Sequence, residues 1–504
     1  VSVLCFCGLL SHCALFLQLS ILKLFICNFL SWRHAVSCGT VVSMIVKTGA
    51  KKKGFTAVSF SKKGETEVVR EKGEKSISIS IGEKPQSRRT LITLLRRIVQ
   101  VAKQHKLEKL FISADEIPAP KNVSSFELGA LLGENFELAN FEFRDFKTRP
   151  KEGWRDVKEI LIGGADTGFK KGLLRGLLVG GAANKTRVLS NTPGGDMTPA
   201  LLAQRAKEAA RGTRVRVTAW GKKEIERKKM GAILGVARGS DEEPRFIILE
   251  YTGGKKSEQP IVLIGKGVTF DTGGLNLKPS SGISDMHMDM SGGAAVIHAV
   301  IAAAKLGIKK NIVGLIPAVE NMPSGSSYRP GDILRSLSGK TIEVLNTDAE
   351  GRLILADALT YANEYKPRLV VDVATLTGAS MAALGQRASA LFTKDKKIEE
   401  LFMRLGEASG DYLWPLPLWS EYEDDVKGNF ADLANIPPSG GSYGGAINGA
   451  AFLYQFVKKS DTEDSYPWAH IDIAPRMTSI PADVLAKGAT GAPVRFLVRL
   501  LEEF

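Results

Sequence analysis

The chain has 504 residues, with 44% hydrophobic and 24% charged side chains and a formal net charge of +14. That length and balance point to two or three globular domains and exclude a disordered or fibrous chain. The positive charge is scattered in short runs such as Lys51-Lys52-Lys53 and Lys222-Lys223, with no recognised nucleic-acid motif beside them, so it reads as a solvated basic surface.

Residues 1–43 differ from everything that follows. Val1 to Trp32 is almost unbroken apolar sequence, and all five cysteines lie in the first 38 residues. The segment is long enough to span a bilayer, lacks the basic start and small-residue cleavage site of a signal peptide, and precedes the first methionine, Met44. It reads either as an over-extended start or as a targeting or anchor segment. The rest, having no cysteine, needs no oxidising compartment and has no thiolate chemistry.

Residues 44–186 read as a smaller N-terminal α/β domain. Strands are predicted at Phe55–Phe60, Ser76–Ile81, Lys109–Ser113 and Glu159–Gly163, and helices at Thr90–His105, Ser124–Asn135 and Gly168–Gly180. Their alternation argues for a mainly parallel sheet.

Residues 187–504 read as a larger catalytic domain. Thr198-Pro199 opens a helix with proline in its first turn. From residue 260 the order is strand Pro260–Ile264, helix Gly292–Leu306, strand Ile312–Ile316, helix Arg352–Tyr365 and strand Arg368–Val373. That order implies right-handed crossovers in a mainly parallel central sheet flanked by helices, with a site beyond the carboxyl ends of the strands. Lys266 and Asp271 follow one such end, and Thr375, Leu376, Thr377 and Gly378 follow another. Further on, Asn435–Gly449 reads as a long loop before a helix Ala450–Val457. His470 and Asp472, on a late strand, read as structural rather than metal-binding.

Two stretches carry chemistry. In Asn346-Thr-Asp348-Ala-Glu350-Gly-Arg352-Leu, read as extended backbone, Asp348, Glu350 and Arg352 project to one side. Two carboxylates that close need positive charge, which a divalent cation supplies. The second stretch runs from Lys266 through Asp271 and Lys278 to Asp289 along a glycine-rich segment.

Together, NTDAEGRL, GKGVTFDTGG, LKPS and MDM resemble the leucyl aminopeptidase (cytosol aminopeptidase) family of dinuclear metallo-exopeptidases, from about Arg187 to the C-terminus. The resemblance implies a cytoplasmic homohexamer that cleaves apolar, leucine-like N-terminal residues from peptides with two divalent ions per subunit, zinc or manganese, with magnesium or cobalt as alternatives. It implies Asp271, Asp348 and Glu350 on one ion and Lys266, Asp271, Asp289 and Glu350 on the other. Lys266 would ligate as a neutral amine; the alternative is an ammonium paired with the acids. By the same resemblance Lys278 stabilises the oxyanion, Arg352 holds a bicarbonate ion, and Asn346 and residues 375–378 contact substrate. His287 and Met288 depart from the family's pattern, which leaves open an added ligand at His287.

Other readings are weaker. Gly440-Gly-Ser442-Tyr-Gly444 matches a nucleophile elbow in letters but follows prolines rather than a buried strand. Ser338-Gly-Lys340-Thr341 lacks the first glycine of a P-loop, and no HExxH is present. Nucleic-acid binding would be an addition to catalysis, not a substitute for it.

Overall fold

The computed structural model describes residues 44–61, 67–71, 74–80, 87–440, 443–460 and 463–504. The apolar segment 1–43 and the centre of the elbow-like motif, residues 441–442, therefore lie outside the described residues. Residues 143–154 belong to a separate compact unit, within which the Arg144 guanidinium stacks on the Trp154 ring.

Six strands form the first sheet: β1 Ile45–Thr48, β2 Thr56–Ser61, β3 Glu67–Glu71, β4 Glu74–Ser80, β5 Lys109–Ser113 and β6 Glu159–Gly163. Their order is β1-β6-β5-β2-β4-β3, parallel throughout except for β3 on β4. Helices α1 (Arg88–Gln104), α2 (Ser125–Asn140) and α3 (Thr167–Asn191) follow strands of this sheet. Helices α1 and α2 start at serine N-caps, Ser87 and Ser124, each with a reciprocal capping box. The third helix runs well past the predicted Gly180 end and across the predicted 186/187 boundary. No proline interrupts it, and Gly172, Gly176 and Gly180 face α2, where the position of a β-carbon on Gly176 would lie 2.1 Å from the Ala130 carbonyl. Glycine is kept there for close helix packing.

The second sheet is built from β7 Val215–Trp220, β8 Arg245–Thr252, β9 Ile261–Gly265, β10 Gly267–Asp271, β11 Asn311–Asn321, then β14 Leu369–Ala374, β15 Ser389–Phe392, β16 Leu413–Pro415 and β18 Trp468–Asp472. Short strands β12 Ile333–Arg335, β13 Thr341–Glu343 and β17 Leu433–Ala434 make a third sheet. At the centre of the second sheet, β11, β9, β14 and β18 are mutually parallel, while β8, β7 and β15 join antiparallel. In β9, Ile261 and Leu263 enter the core on one face, and Val262 and Ile264 the core on the other. Both faces are buried, which is why the strand reads as an unbroken apolar run.

Strand β11 extends five residues beyond the predicted Ile316. Pro317 marks the point where the parallel neighbour changes from β9 to β10, so proline interrupts the ladder without ending the strand. Helix α4 (Ser291–Leu306) is apolar and long enough, with the turns before it, to cross a membrane by composition alone; it is buried against the central sheet. The Ser338–Thr341 stretch forms the antiparallel β12–β13 turn, which has no helix for a phosphate. Helices α5 (Gly351–Ala362), α6 (Gly378–Leu384), α7 (Gly445–Tyr454) and α8 (Val494–Glu503) complete the elements used below. The start of α7 falls five residues before the predicted Ala450, because Gly444 takes a left-handed conformation and turns the chain into the helix early.

Candidate metal centre

The carboxyl ends of β9, β10, β11, β14 and β18 meet at one edge of the sheet. Lys266, Asp271, Asn321, Thr375 and Asp472 stand at or just beyond those ends. Helix α4 begins beside them, and its early glycines allow the approach: a β-carbon on Gly292 would lie 2.2 Å from the Val373 carbonyl oxygen.

The Lys266 ammonium, almost fully buried, lies 2.7 Å from Asp289 Oδ2 and 2.8 Å from Glu350 Oε1, and donates to the Thr375 carbonyl at 2.9 Å. Burial disfavours its charge, but Asp289, Glu350 and Asp271 outweigh that and raise its pKa. The Lys266 amine is thus held among the acids by ion pairs. Asp271 is fixed by Gly273 N–H and by the Asn321 side-chain amide, both donating to Oδ1 at 2.9 Å, while its Oδ2 lies 2.8 Å from the Lys278 ammonium. The same ammonium meets Asp348. Thr375 Oγ1 donates to Asp289 at 2.6 Å.

The stretch around Asp348 is not extended. Residues 346–349 form a turn closed by Ala349 N–H on the Asn346 carbonyl at 3.2 Å, and α5 starts at Gly351. Alternation along a strand therefore does not bring Asp348, Glu350 and Arg352 together. The turn presents Asp348, and the helix start presents Glu350. Arg352 points elsewhere, donating to the Asn435 main-chain carbonyl at 2.8 Å with its buried Nε unpartnered. Burial lowers its pKa to about 10, so it stays charged.

Asp271, Asp348 and Glu350 can each offer an oxygen within 4.8 Å of the other two. With Asp289 they set four carboxylates against the ammoniums of Lys266 and Lys278. Burial, then the charges of Asp271 and Glu350, push Asp348 up to about 6. Burial, with the Glu350 and Asp271 charges, likewise carries Asp289 well above the usual carboxylate range despite Lys266. Asp289 Oδ2, Asp348 Oδ1 and Glu350 Oε1 are buried and, among the described residues, met only by the lysines. A set of hard oxygen donors with a deficit of positive charge fits divalent cations.

Residues outside the expected ligand set hold this centre in place. Asn435, fully buried, accepts from Leu345 N–H at 2.8 Å and donates to the Asn346 carbonyl at 2.6 Å. Asn321 also donates to the Thr347 carbonyl at 2.9 Å. Asp472 accepts from Leu376 N–H at 3.0 Å and from Thr377 Oγ1 at 2.6 Å, tying down the 375–378 loop. His470 pairs with Asp372 at 2.5 Å, and Trp468 donates to the same carboxylate at 2.7 Å. Both late-strand residues are engaged in the scaffold. His287 is half-buried on the turn before Asp289, with its Nδ1 3.2 Å from the Ser284 carbonyl.

Comparison with known proteins gives a consistent picture. Residues 184–498 match the model of the cytosol aminopeptidase family, catalytic domain. The chain is 44% identical over 412 residues to a protein of Syntrophotalea carbinolica titled "Probable cytosol aminopeptidase", covering 80% of each chain. A protein of the same title from Saccharophagus degradans is 41% identical over 441 residues, covering 85% of this chain and 86% of its own. Among solved structures, the bottromycin maturation enzyme BotP aligns with a TM-score of 0.78 at 28% identity, covering 91% of this chain and 99% of that one. A second structure, of BotP in complex with Mn, aligns with the same TM-score at 29% identity, over 91% of this chain and 99% of that one.

Proposed function

Taking as premise that the chain belongs to the cytosol aminopeptidase family, whose members are metal-dependent aminopeptidases, we propose that it removes apolar, leucine-like N-terminal residues from peptides at the acidic centre of the second sheet. The observation that carries this reading is the convergence of Asp271, Asp348 and Glu350, with Asp289 and two lysines, at the carboxyl edge of one sheet.

Asp271, Asp348 and Glu350 would hold one divalent ion, and Lys266, Asp271, Asp289 and Glu350 the other, zinc or manganese being the first choices. When bound, such a pair supplies charge neutralisation, activation of water near neutral pH and polarisation of the scissile carbonyl. Lys266 would give up its proton on joining that set. Lys278, paired with Asp271 and Asp348, would present its ammonium to the oxyanion that develops on the carbonyl oxygen. The unpartnered Nε of Arg352 favours an anion beside it, and bicarbonate there would carry a proton that the guanidinium itself cannot release. Asn346 and the 375–378 loop would position the substrate main chain. We place the enzyme in the cytoplasm as a homohexamer, on the strength of its relatives' names and of the family resemblance.

The test is metal analysis of the purified protein alongside turnover of a panel of amino-acyl amides. Asp348→Ala and Glu350→Ala should each abolish turnover and lower the bound metal. Wild-type-like activity in either variant would refute the assignment.

A further inference from the structure

A second cavity, of about 190 Å³, opens where α1 meets segments from the last quarter of the chain. Arg89, Ile92, Thr93 and Arg96 form one face of α1 at helical spacing, and Arg387, Arg476 and Arg495 stand across from them. Three of these five arginines have carboxylate partners: Arg89 with Glu407 at 2.7 Å, Arg476 with Asp483 at 3.1 Å, and Arg495 with Asp411 at 2.5 Å. Two do not. Arg96, buried, donates to the Asn135 side chain at 2.7 Å and to the Asp483 main-chain carbonyl at 2.9 Å, both neutral acceptors. Arg387 is exposed and has no ion pair among the described residues.

The cavity thus carries surplus positive charge, and Arg495 of its lining has a buried Nη1 without a hydrogen-bond partner among the described residues. Burial and the nearby Arg495 push Arg96 down to about 9, so it remains charged at neutral pH. The volume equals that of several waters at about 30 Å³ each, enough for a hydrated oxyanion. The guanidiniums come from separate elements (α1, the chain after α6, the turn at Ala474–Arg476, and α8), not from one plane. Several guanidiniums lining one cavity suit an oxyanion such as phosphate.

We propose that this arginine-lined cavity between α1 and the 476–495 segment binds inorganic phosphate or a phosphate monoester, as a site distinct from the acidic centre. The test is calorimetric titration of the metal-loaded enzyme with inorganic phosphate, with glycerol phosphate as the monoester arm and malonate as the carboxylate control, at ionic strength fixed with chloride. We expect a saturable phosphate-binding component, separate from any uptake at the acidic centre, weakened about tenfold in Arg387→Gln and in Arg89→Gln, with Arg387→Gln leaving basal peptidase turnover unchanged. Tighter binding of glycerol phosphate than of phosphate would identify the monoester as the ligand, and the reverse would identify the free ion. Absence of saturable binding, phosphate affinity indifferent to both substitutions, or malonate binding as tightly as phosphate would overturn the proposal.

Discussion

The position of a β-carbon on Gly351 lies 2.5 Å from Cε of Lys266 and 2.7 Å from its Nζ. Glycine at the start of α5 is therefore what leaves room for the Lys266 ammonium between Asp289, Glu350 and the Thr375 carbonyl. A methyl group at 351 must push that ammonium out of its nest. Alanine suits a helix better than glycine, by roughly 0.5–1 kcal/mol, so the fold should survive. For Gly351→Ala we expect kcat/KM to fall roughly 10²-fold, as for a misplacement of about 1 Å in an active site, without a lower Tm. Full activity in a folded Gly351→Ala enzyme would show that the position of Lys266 is immaterial.

Lys278 bridges Asp271, at 2.8 Å, and Asp348. It is in position either to stabilise an oxyanion or merely to neutralise the acids. These roles separate on truncation. If Lys278 serves the transition state, Lys278→Ala should lower kcat by roughly 10²–10³-fold while metal content stays near that of the parent. Loss of metal in proportion to activity would instead assign it to the acidic cluster alone.

The strand ends at which Lys266, Asp271 and Thr375 stand were legible because glycine-rich turns follow the apolar strands. The local geometry was less so. Asp348 and Glu350 converge through a turn and a helix start, not through strand alternation, because the Asn346–Ala349 turn breaks the extended run after Glu343. The supporting residues were invisible for a different reason. Asn435 and Asn321 act by hydrogen-bonding to backbone from outside the two motif stretches, and a single buried polar residue leaves no periodicity to detect.

Asn435 makes its own prediction. Its side chain satisfies Leu345 N–H and the Asn346 carbonyl, and its main-chain carbonyl receives Arg352. Asn435→Ala leaves the part-buried Leu345 N–H and Asn346 carbonyl without that side-chain partner, at about 1–3 kcal/mol of stability. It also frees the turn that presents Asp348, so activity should drop about 10–100-fold, as for lost support of a metal ligand. Chemical denaturation and kcat/KM measured together check both. Asn435→Asp, which keeps the acceptor but removes the amide donor, should recover less than half of the lost stability.

His298 lies inside α4, buried, with neither ring nitrogen hydrogen-bonded among the described residues. Burial, with Lys185 and then Lys305 adding like charge, lowers its pKa to about 3. In the unfolded chain the imidazole titrates near 6.5. Below that pH the unfolded state takes up a proton that the folded state refuses, so stability is intact above about 6.5 and declines as pH falls toward about 3. At about 1.4 kcal/mol per pH unit, this one residue costs roughly 2 kcal/mol between neutrality and pH 5. His298→Leu keeps the volume and removes the proton site. It should match or exceed the parent at pH 7.5, and its advantage in denaturant midpoint should widen steadily from pH 6.5 to pH 4. Parallel pH profiles for the two proteins would mean that His298 is protonated in the folded state and that some other group drives the acid loss.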